Sequence, residues 1–187
     1  MEISLIRHGR SKWVQNDWIT SKQFENWVTR YNDHGVYAEE TYPVETQKKL
    51  ETANMVYTSD LYRSRESAKL LISTVDIVSD SLFREVELPT LSGIFSKVRL
   101  QPRGWTVLMR CLWVAGFSSG CESFSDAKSR AKLAAEKLVR SAGKSQSVVL
   151  VGHGFFNILI AKELLQMGWT GVKRPASKHW QITTYTK

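Results

Sequence analysis

Ser147-Val-Val-Leu-Val-Gly152, followed at once by His153-Gly154, decides the class of fold. Every position between the ends of this run is apolar, and most are β-branched. A strand with one solvated face alternates apolar with polar residues. A strand covered on both faces does not alternate, and this is the pattern of a central parallel strand. Helical patterns flank it. Before it, Phe124, Ala127, Ala131, Ala134 and Leu138 step by three and four residues. That spacing gives one apolar stripe on a helix, and Glu122 and Ser123 stand at its start, where an acid and a cap suit a helix end. After it, Ile158, Ala161 and Leu165 form the stripe of a second helix.

The same alternation runs toward the N-terminus. Ile3-Ser4-Leu5-Ile6 reads as a short strand ending at Arg7-His8-Gly9. Phe24, Trp27, Val28 and Tyr31 predict a helix, and Met55 to Ser59 a second strand. Asp60 to Ile72 then reads as a helix packing through Leu61, Ala68 and Leu71, and Asp76-Ile77-Val78 as a third strand. Trp180 to Tyr185 alternates as a final strand would. Over Leu88 to Gly120, Pro89, Gly93, Pro102 and Gly104 interrupt the pattern, whereas Trp105 to Val114 is apolar enough for a buried or capping helix. The expected fold is one α/β domain over residues 1–187. It is a three-layer α/β/α sandwich with a largely parallel central sheet and a small helical insertion, about 88–120, over the active site.

Composition narrows the function. The chain has 187 residues, enough for a real core. Its start is unlike a signal peptide and no stretch approaches a membrane span, so a cytoplasmic protein with no membrane partner is expected. Cys111 and Cys121 lack zinc-site spacing and read as buried or idle thiols. The net charge is +8, but the basic residues are scattered, with no run of five and no regular interleaving with aromatics. This is the pattern of a solvated basic surface, not of a nucleic-acid partner. The sequence carries no signal for the oligomeric state.

Ligands of open α/β sheets bind beyond the carboxyl ends of the strands. Three strand ends carry reactive groups: Arg7-His8-Gly9-Arg10-Ser11, Ser59-Asp60-Leu61-Tyr62-Arg63 and Gly152-His153-Gly154. Two histidines and two arginines on one rim suit a phosphate, because guanidinium forks match its oxygens. Backbone N–H groups after His8 and His153 add anion-binding dipoles, and Gly9, Gly152 and Gly154 let the backbone come close. A neutral imidazole is a good nucleophile, and nearby arginines hold it neutral. The departing oxygen needs an acid, and Glu85 and Glu87 are the carboxylates nearest a strand end. No third histidine or carboxylate stands at a spacing that completes a metal site with His8 and His153; His34 and His179 read as structural or exposed.

These segments resemble a known family. Leu5-Ile6-Arg7-His8-Gly9 is similar to the Arg-His-Gly signature of the histidine phosphatase (phosphoglycerate mutase-like) superfamily, branch 1. Thr58 to Ala68 resembles its second motif, Ser-x-Leu-x-Arg-(Ala/Ser)-x-x-Thr-Ala. Val149 to Gly154 resembles the strand that ends in its second histidine, and Leu82-Phe83-Arg84-Glu85 the segment that supplies the acid. All four occur in family order. The resemblance implies that His8 is a nucleophile forming phosphohistidine, that Arg7, Arg63 and His153 bind the phosphoryl oxygens, and that Glu85 is the acid, with Glu87 as the alternative. It implies phosphate contacts from Gly9, Ser11 and Gly154, and no metal or organic cofactor. The chain departs from the pattern at Val14, where the family commonly has a phosphate-touching Asn; Asn16 comes two residues late. Tyr42 to Gln47 matches the glycine-bearing segment before the second strand poorly.

The expected activity is that of a phosphomonoesterase of histidine acid phosphatase type, acting on a small phosphorylated metabolite. Two other readings compete. A phosphoglycerate mutase shares the chemistry as far as phosphohistidine, but it generally needs larger inserts over the site to exclude water. A catalytically weak domain that binds a phosphorylated ligand as a regulator would fit the missing Asn.

Overall fold

The computed structural model describes residues 1–72, 75–91 and 97–187. In chain order the elements are β1 (Glu2–Arg7), α1 (Ser21–Asp33), α2 (Val44–Glu51), β2 (Met55–Thr58), α3 (Tyr62–Leu71) and β3 (Ile77–Ser79), with a 3-10 turn at Ser81–Phe83. Then follow α4 (Pro102–Val114), α5 (Phe124–Ser145), β4 (Ser147–Gly152), α6 (Gly154–Gln166) and β5 (Ile182–Thr186). The strands form one sheet in the order β3-β2-β4-β1-β5. β4 lies at its centre with all six residues buried, as its unbroken apolar run requires. It runs parallel to β1, with Leu5 opposite Leu150, and to β2, with Val56 opposite Val149. Only the edge strand β5 is antiparallel.

Period-two alternation assigns the side chains to two faces. Ile3, Leu5, Tyr57, Val148 and Leu150 share one core with the alanine stripe of α5 and with Phe156, Ile160 and Leu164 of α6. Ile6, Val56, Val149 and Val151 pack on the other face against Leu50, Ala53, Ala68 and Ile72, at α2 and α3. Helices thus cover both faces. The alanines of α5 let that helix lie close to the sheet. Ser123 caps it in a capping box with Asp126, worth about 1 kcal/mol of helix stability.

A third, smaller cluster stands apart from the sheet. Ile19 and Phe24 meet Trp105 and Met109, and Trp27, Val28, Leu88 and Leu100 surround them. The indole N–H of Trp105 donates to the Ile19 carbonyl at 2.7 Å. The helix expected near Trp105 is present, but it pairs with α1, so the layer beside the site is built from two distant parts of the chain and not from 88–120 alone.

Several expectations need correction. Pro102 and Gly104 do not interrupt structure: Pro102 occupies the first turn of α4, where its missing N–H costs nothing. Trp180 is not in the last strand. Its backbone has φ +65°, and β5 starts two residues later. α2 had no sequence signal, because it is mostly exposed and buries only Thr46 and Leu50. Both thiols are free, but Cys111 is exposed and Cys121 half-buried. Gly93, read as a breaker, lies outside the described residues. Among the described residues no helix is long and apolar enough to cross a membrane.

Candidate active site

The carboxyl ends of β1 and β4 are adjacent, because Arg7 pairs with Gly152 in the ladder. The next residue on each strand is a histidine, so His8 and His153 are neighbours by register. Their ring centroids lie 5.1 Å apart, edge to face. β2 lies on the far side of β4 and delivers Ser59, and the start of α3 delivers Arg63. Arg7, His8, Arg63 and Glu85 line one cavity of about 710 Å³. His153 is fully buried behind His8.

The imidazole of His8 has a defined tautomer. His8 Nδ1 is 2.7 Å from the carbonyl oxygen of Gly9. A carbonyl only accepts, so Nδ1 carries the proton, and in the neutral ring Nε2 keeps its lone pair. Burial pushes the His8 pKa well below 6.5, and the positive charges of Arg63 and Arg7 push it the same way. His153 is lowered well below 6.5 for the same reasons, burial first and Arg63 next. Both rings are therefore neutral at neutral pH.

The guanidinium groups are held by one arm each. Arg63 is almost wholly buried; it donates from Nη1 to Asn32 Oδ1 at 2.7 Å, and its guanidinium lies 4.7 Å from the Tyr31 ring centroid. Arg7 donates from Nη1 to the Ser177 carbonyl. The Nε atoms of both arginines are buried without a protein partner, and so is His153 Nδ1. Leaving a buried guanidinium N–H unpaired costs on the order of 1–3 kcal/mol. These three unpaired nitrogens belong to residues that the ends of β1 and β4 and the start of α3 bring together beside His8.

A tier behind these groups, unread in the sequence, fixes their positions. Ser59 Oγ is 2.6 Å from His153 Nε2. Ser67 Oγ accepts from the Gly9 N–H at 2.8 Å and donates to the Arg63 carbonyl at 2.6 Å, tying the β1 loop to α3. Asn157 donates to the Ile6 carbonyl at 3.1 Å. Trp180 closes over Gly9, where a Cβ would lie 2.0 Å from the indole ring. His179, read as structural or exposed, stands beside His8: its ring centroid is 5.6 Å from that of His8, and its Nδ1 donates to the His8 carbonyl at 2.8 Å. Ser59 and Ser67 fall inside the second motif and were findable there. His179 and Trp180 had no local signal.

The other predicted residues divide. Glu85 lines the cavity and accepts backbone N–H groups from Phe155 at 3.1 Å, Phe156 at 2.9 Å and Val86 at 3.0 Å. It therefore sits at the N-terminus of α6, one turn from His153. Glu87 lines the same cavity but is exposed. Gly154 lies under Arg7, where a Cβ would stand 3.3 Å from its Nε, closer than an ordinary contact. Ser11 is buried outside the cavity lining, and its Oγ accepts from the Trp13 N–H. Val14, at the position that commonly carries Asn, is 61% exposed and is not among the residues that line the cavity. Among the described residues there is no group of three or more His, Cys, Asp or Glu arranged to hold a metal ion.

Solved structures share this architecture. A phosphoserine phosphatase from Entamoeba histolytica, in complex with 3-phosphoglyceric acid, superposes with a TM-score of 0.60 at 14% identity, over 98% of this chain and 89% of that one. A mycobacterial glucosyl-3-phosphoglycerate phosphatase gives 0.56 at 17% identity, over 88% and 79%. A putative α-ribazole-5'-P phosphatase from Escherichia coli gives 0.53 at 16% identity, over 87% and 78%. At such identities the likeness is one of fold. No curated protein matches the chain in sequence. The family model of the histidine phosphatase superfamily (branch 1) matches residues 3–186, and the chain belongs to that superfamily.

Proposed function

We propose that the protein is a phosphomonoesterase that works through a phosphohistidine at His8 and needs no metal. The reading rests above all on one observation: a buried imidazole with its proton fixed on Nδ1, flanked by the unpaired Nε–H donors of Arg7 and Arg63. The phosphoryl group of the substrate binds to those donors. His8 Nε2 attacks phosphorus, the bond from phosphorus to the ester oxygen breaks, and Glu85 gives that oxygen a proton. Water then attacks the phosphohistidine and passes a proton to Glu85. The phosphorus–nitrogen bond breaks, inorganic phosphate leaves, and His8 returns to its neutral form.

Three backbone donors hold the Glu85 carboxyl in the cavity wall, in place to serve the departing oxygen. The guanidinium groups provide the charge stabilisation that phosphoryl transfer requires. The similar solved phosphatases act on small phosphorylated compounds by name, and a small phosphorylated metabolite is the substrate class proposed here. Two free thiols fit a reducing, cytoplasmic setting.

The test is phosphate release from a panel of phosphomonoesters by wild type and His8→Ala, with chelator present, alongside an assay for phosphoglycerate interconversion. Acid-labile, base-stable radiolabel on wild type and none on His8→Ala is the expected outcome. Turnover that survives in His8→Ala, or that disappears with chelator, rules the proposal out. Interconversion without phosphate release supports the mutase instead.

A further inference from the structure

The cavity holds five arginines, and their partners differ. Arg84 is neutralised by Asp60 through a two-armed pair at 2.6 and 2.5 Å. Arg130 is neutralised in the same way by Glu122. Arg7 and Arg63 belong to the phosphate end described above. Arg110, on α4, is the remaining one. Among the described residues it has no carboxylate within ion-pairing range, and its contacts are two long bonds, to the carbonyls of Val86 at 3.3 Å and Glu87 at 3.5 Å. Its guanidinium lies against Phe155 at 4.6 Å and Trp113 at 5.2 Å. The nearest negative charge acting on it is Glu85, which is already occupied by three backbone donors. Burial lowers its pKa, as expected for a cation with little compensation.

A second feature leads toward it from the phosphate end. Arg63 lies over Tyr31, Tyr31 stacks on Trp27 with centroids 5.1 Å apart and planes 12° apart, and Trp27 stacks on Phe24. Trp27 is pinned by its indole N–H donating to the Gln15 carbonyl at 3.1 Å. Tyr31, Trp27, Val28 and Leu88 line the cavity as an apolar wall, and because Tyr31 and Phe24 stack on Trp27 and Arg63 covers Tyr31, the rings offer it mainly their edges, against which the face of another ring packs. The cavity, about 710 Å³, is in the range of sites that enclose drug-sized ligands. A phosphate alone fills a small part of it.

We propose that the alcohol portion of the substrate is a flat, apolar ring system bearing its own oxyanion, with the ring against Tyr31 and Trp27 and the oxyanion on Arg110. This deepens the phosphatase reading and rests on it. It makes Arg110 a specificity residue: it touches neither the phosphorus nor the departing oxygen. A planar guanidinium held by aromatic faces keeps its edge donors free for a carboxylate, sulfonate or second phosphate.

The experiment compares phenyl phosphate, 4-carboxyphenyl phosphate, 3-phosphoglycerate and glycerol phosphate. Dissociation constants are measured by calorimetry on the His8→Ala protein, where no turnover consumes the ligand, and kcat/KM on the parent. The carboxyphenyl ester is expected to bind roughly tenfold or more tightly than phenyl phosphate, the factor that one charge-assisted bond supplies. Adding Arg110→Gln should remove that ratio, and intrinsic ester reactivity cancels in the comparison. Trp27→Leu should weaken both aryl esters relative to glycerol phosphate. The wild-type ratio alone decides the matter if either variant fails to fold. Equal binding of the two aryl esters, or a ratio unchanged by Arg110→Gln, overturns the proposal. Tighter binding of 3-phosphoglycerate than of the carboxyphenyl ester overturns its aromatic half. Binding without any turnover of the four esters leaves this subsite standing and rejects the phosphatase reading instead.

Discussion

On the proposed reading His8 and Glu85 divide the chemistry between them, and substitutions can separate their parts. His8→Ala removes the atom that accepts the phosphoryl group, so turnover should fall by about a thousandfold or more. Glu85→Gln keeps the size of the side chain and one acceptor oxygen but cannot pass a proton. Its effect should depend on the leaving group: a loss of about a hundredfold for alkyl esters and much less for p-nitrophenyl phosphate, whose product needs no acid. Glu87→Gln run in parallel identifies the acid, because only the true proton donor shows that dependence on leaving group. The histidines also titrate as a set. His8, His153 and His179 are all lowered from 6.5, burial being the largest cause in each. An unfolded chain takes up protons near pH 6.5 that the folded one refuses. Stability should therefore fall as pH drops from about 7.5 to about 5.5, and this contribution is absent well above the unfolded value. The lowered carboxylates Glu2, Asp60 and Asp80 act in the same direction but only below about their ordinary range near 4. Urea midpoints across that interval, with His153→Asn as the variant that flattens the slope, check the assignment.

Elements matter here chiefly as carriers of strand ends. β4 and β1 were legible because a strand buried on both faces writes an unbroken apolar run, and the residue beyond each end was a histidine that register brings together. α5 was legible from its alanine stripe. α2 was silent because a mostly exposed helix needs only two buried positions, Thr46 and Leu50. Arg7, His8, Arg63 and Glu85 were readable from local motifs, whereas Tyr31, Asn32, Arg110, His179 and Trp180 come to the site from segments far along the chain and carry no short-range pattern. At this scale Ser123→Ala should cost about 1 kcal/mol in chemical unfolding, from the lost cap of α5, with kcat unchanged, since the cap lies outside the cavity. Gly9→Ala tests the opposite case. Its Cβ meets Trp180, so the loop after β1 or the indole must move, at a cost of about 1–3 kcal/mol, and His8 moves with the loop. Activity should fall further than stability alone explains, which kcat measured well below the unfolding midpoint will reveal.

The molecule as a whole is built on unequal cores. The sheet holds two apolar layers rich in fully buried residues, while α1 and α4 are joined mainly by Ile19, Phe24, Trp105 and Met109. That small cluster carries the aromatic wall, while Arg110 packs on Trp113 and Phe155 at the margin of the larger core, so on the proposed reading selection of the substrate draws on parts of different stability. Local opening free energies follow buried apolar contact. Amides of α1 and α4 should therefore exchange with solvent faster than those of β1 and β4, through an opening that leaves the sheet folded. Trp105→Ala makes the case sharper. Loss of a fully buried indole costs about 3–5 kcal/mol where the surroundings cannot collapse, and here the hydrogen bond to the Ile19 carbonyl goes with it. If the α1–α4 layer opens on its own, the variant should keep the global unfolding midpoint of the sheet nearly intact, show accelerated exchange confined to α1 and α4, and raise KM for bulky esters far more than it lowers kcat for small ones. A single cooperative transition shifted by the full cost, with exchange accelerated throughout β1 and β4 as well, would mean that the two layers fold as one unit and that selectivity cannot be loosened without loosening the catalytic rim.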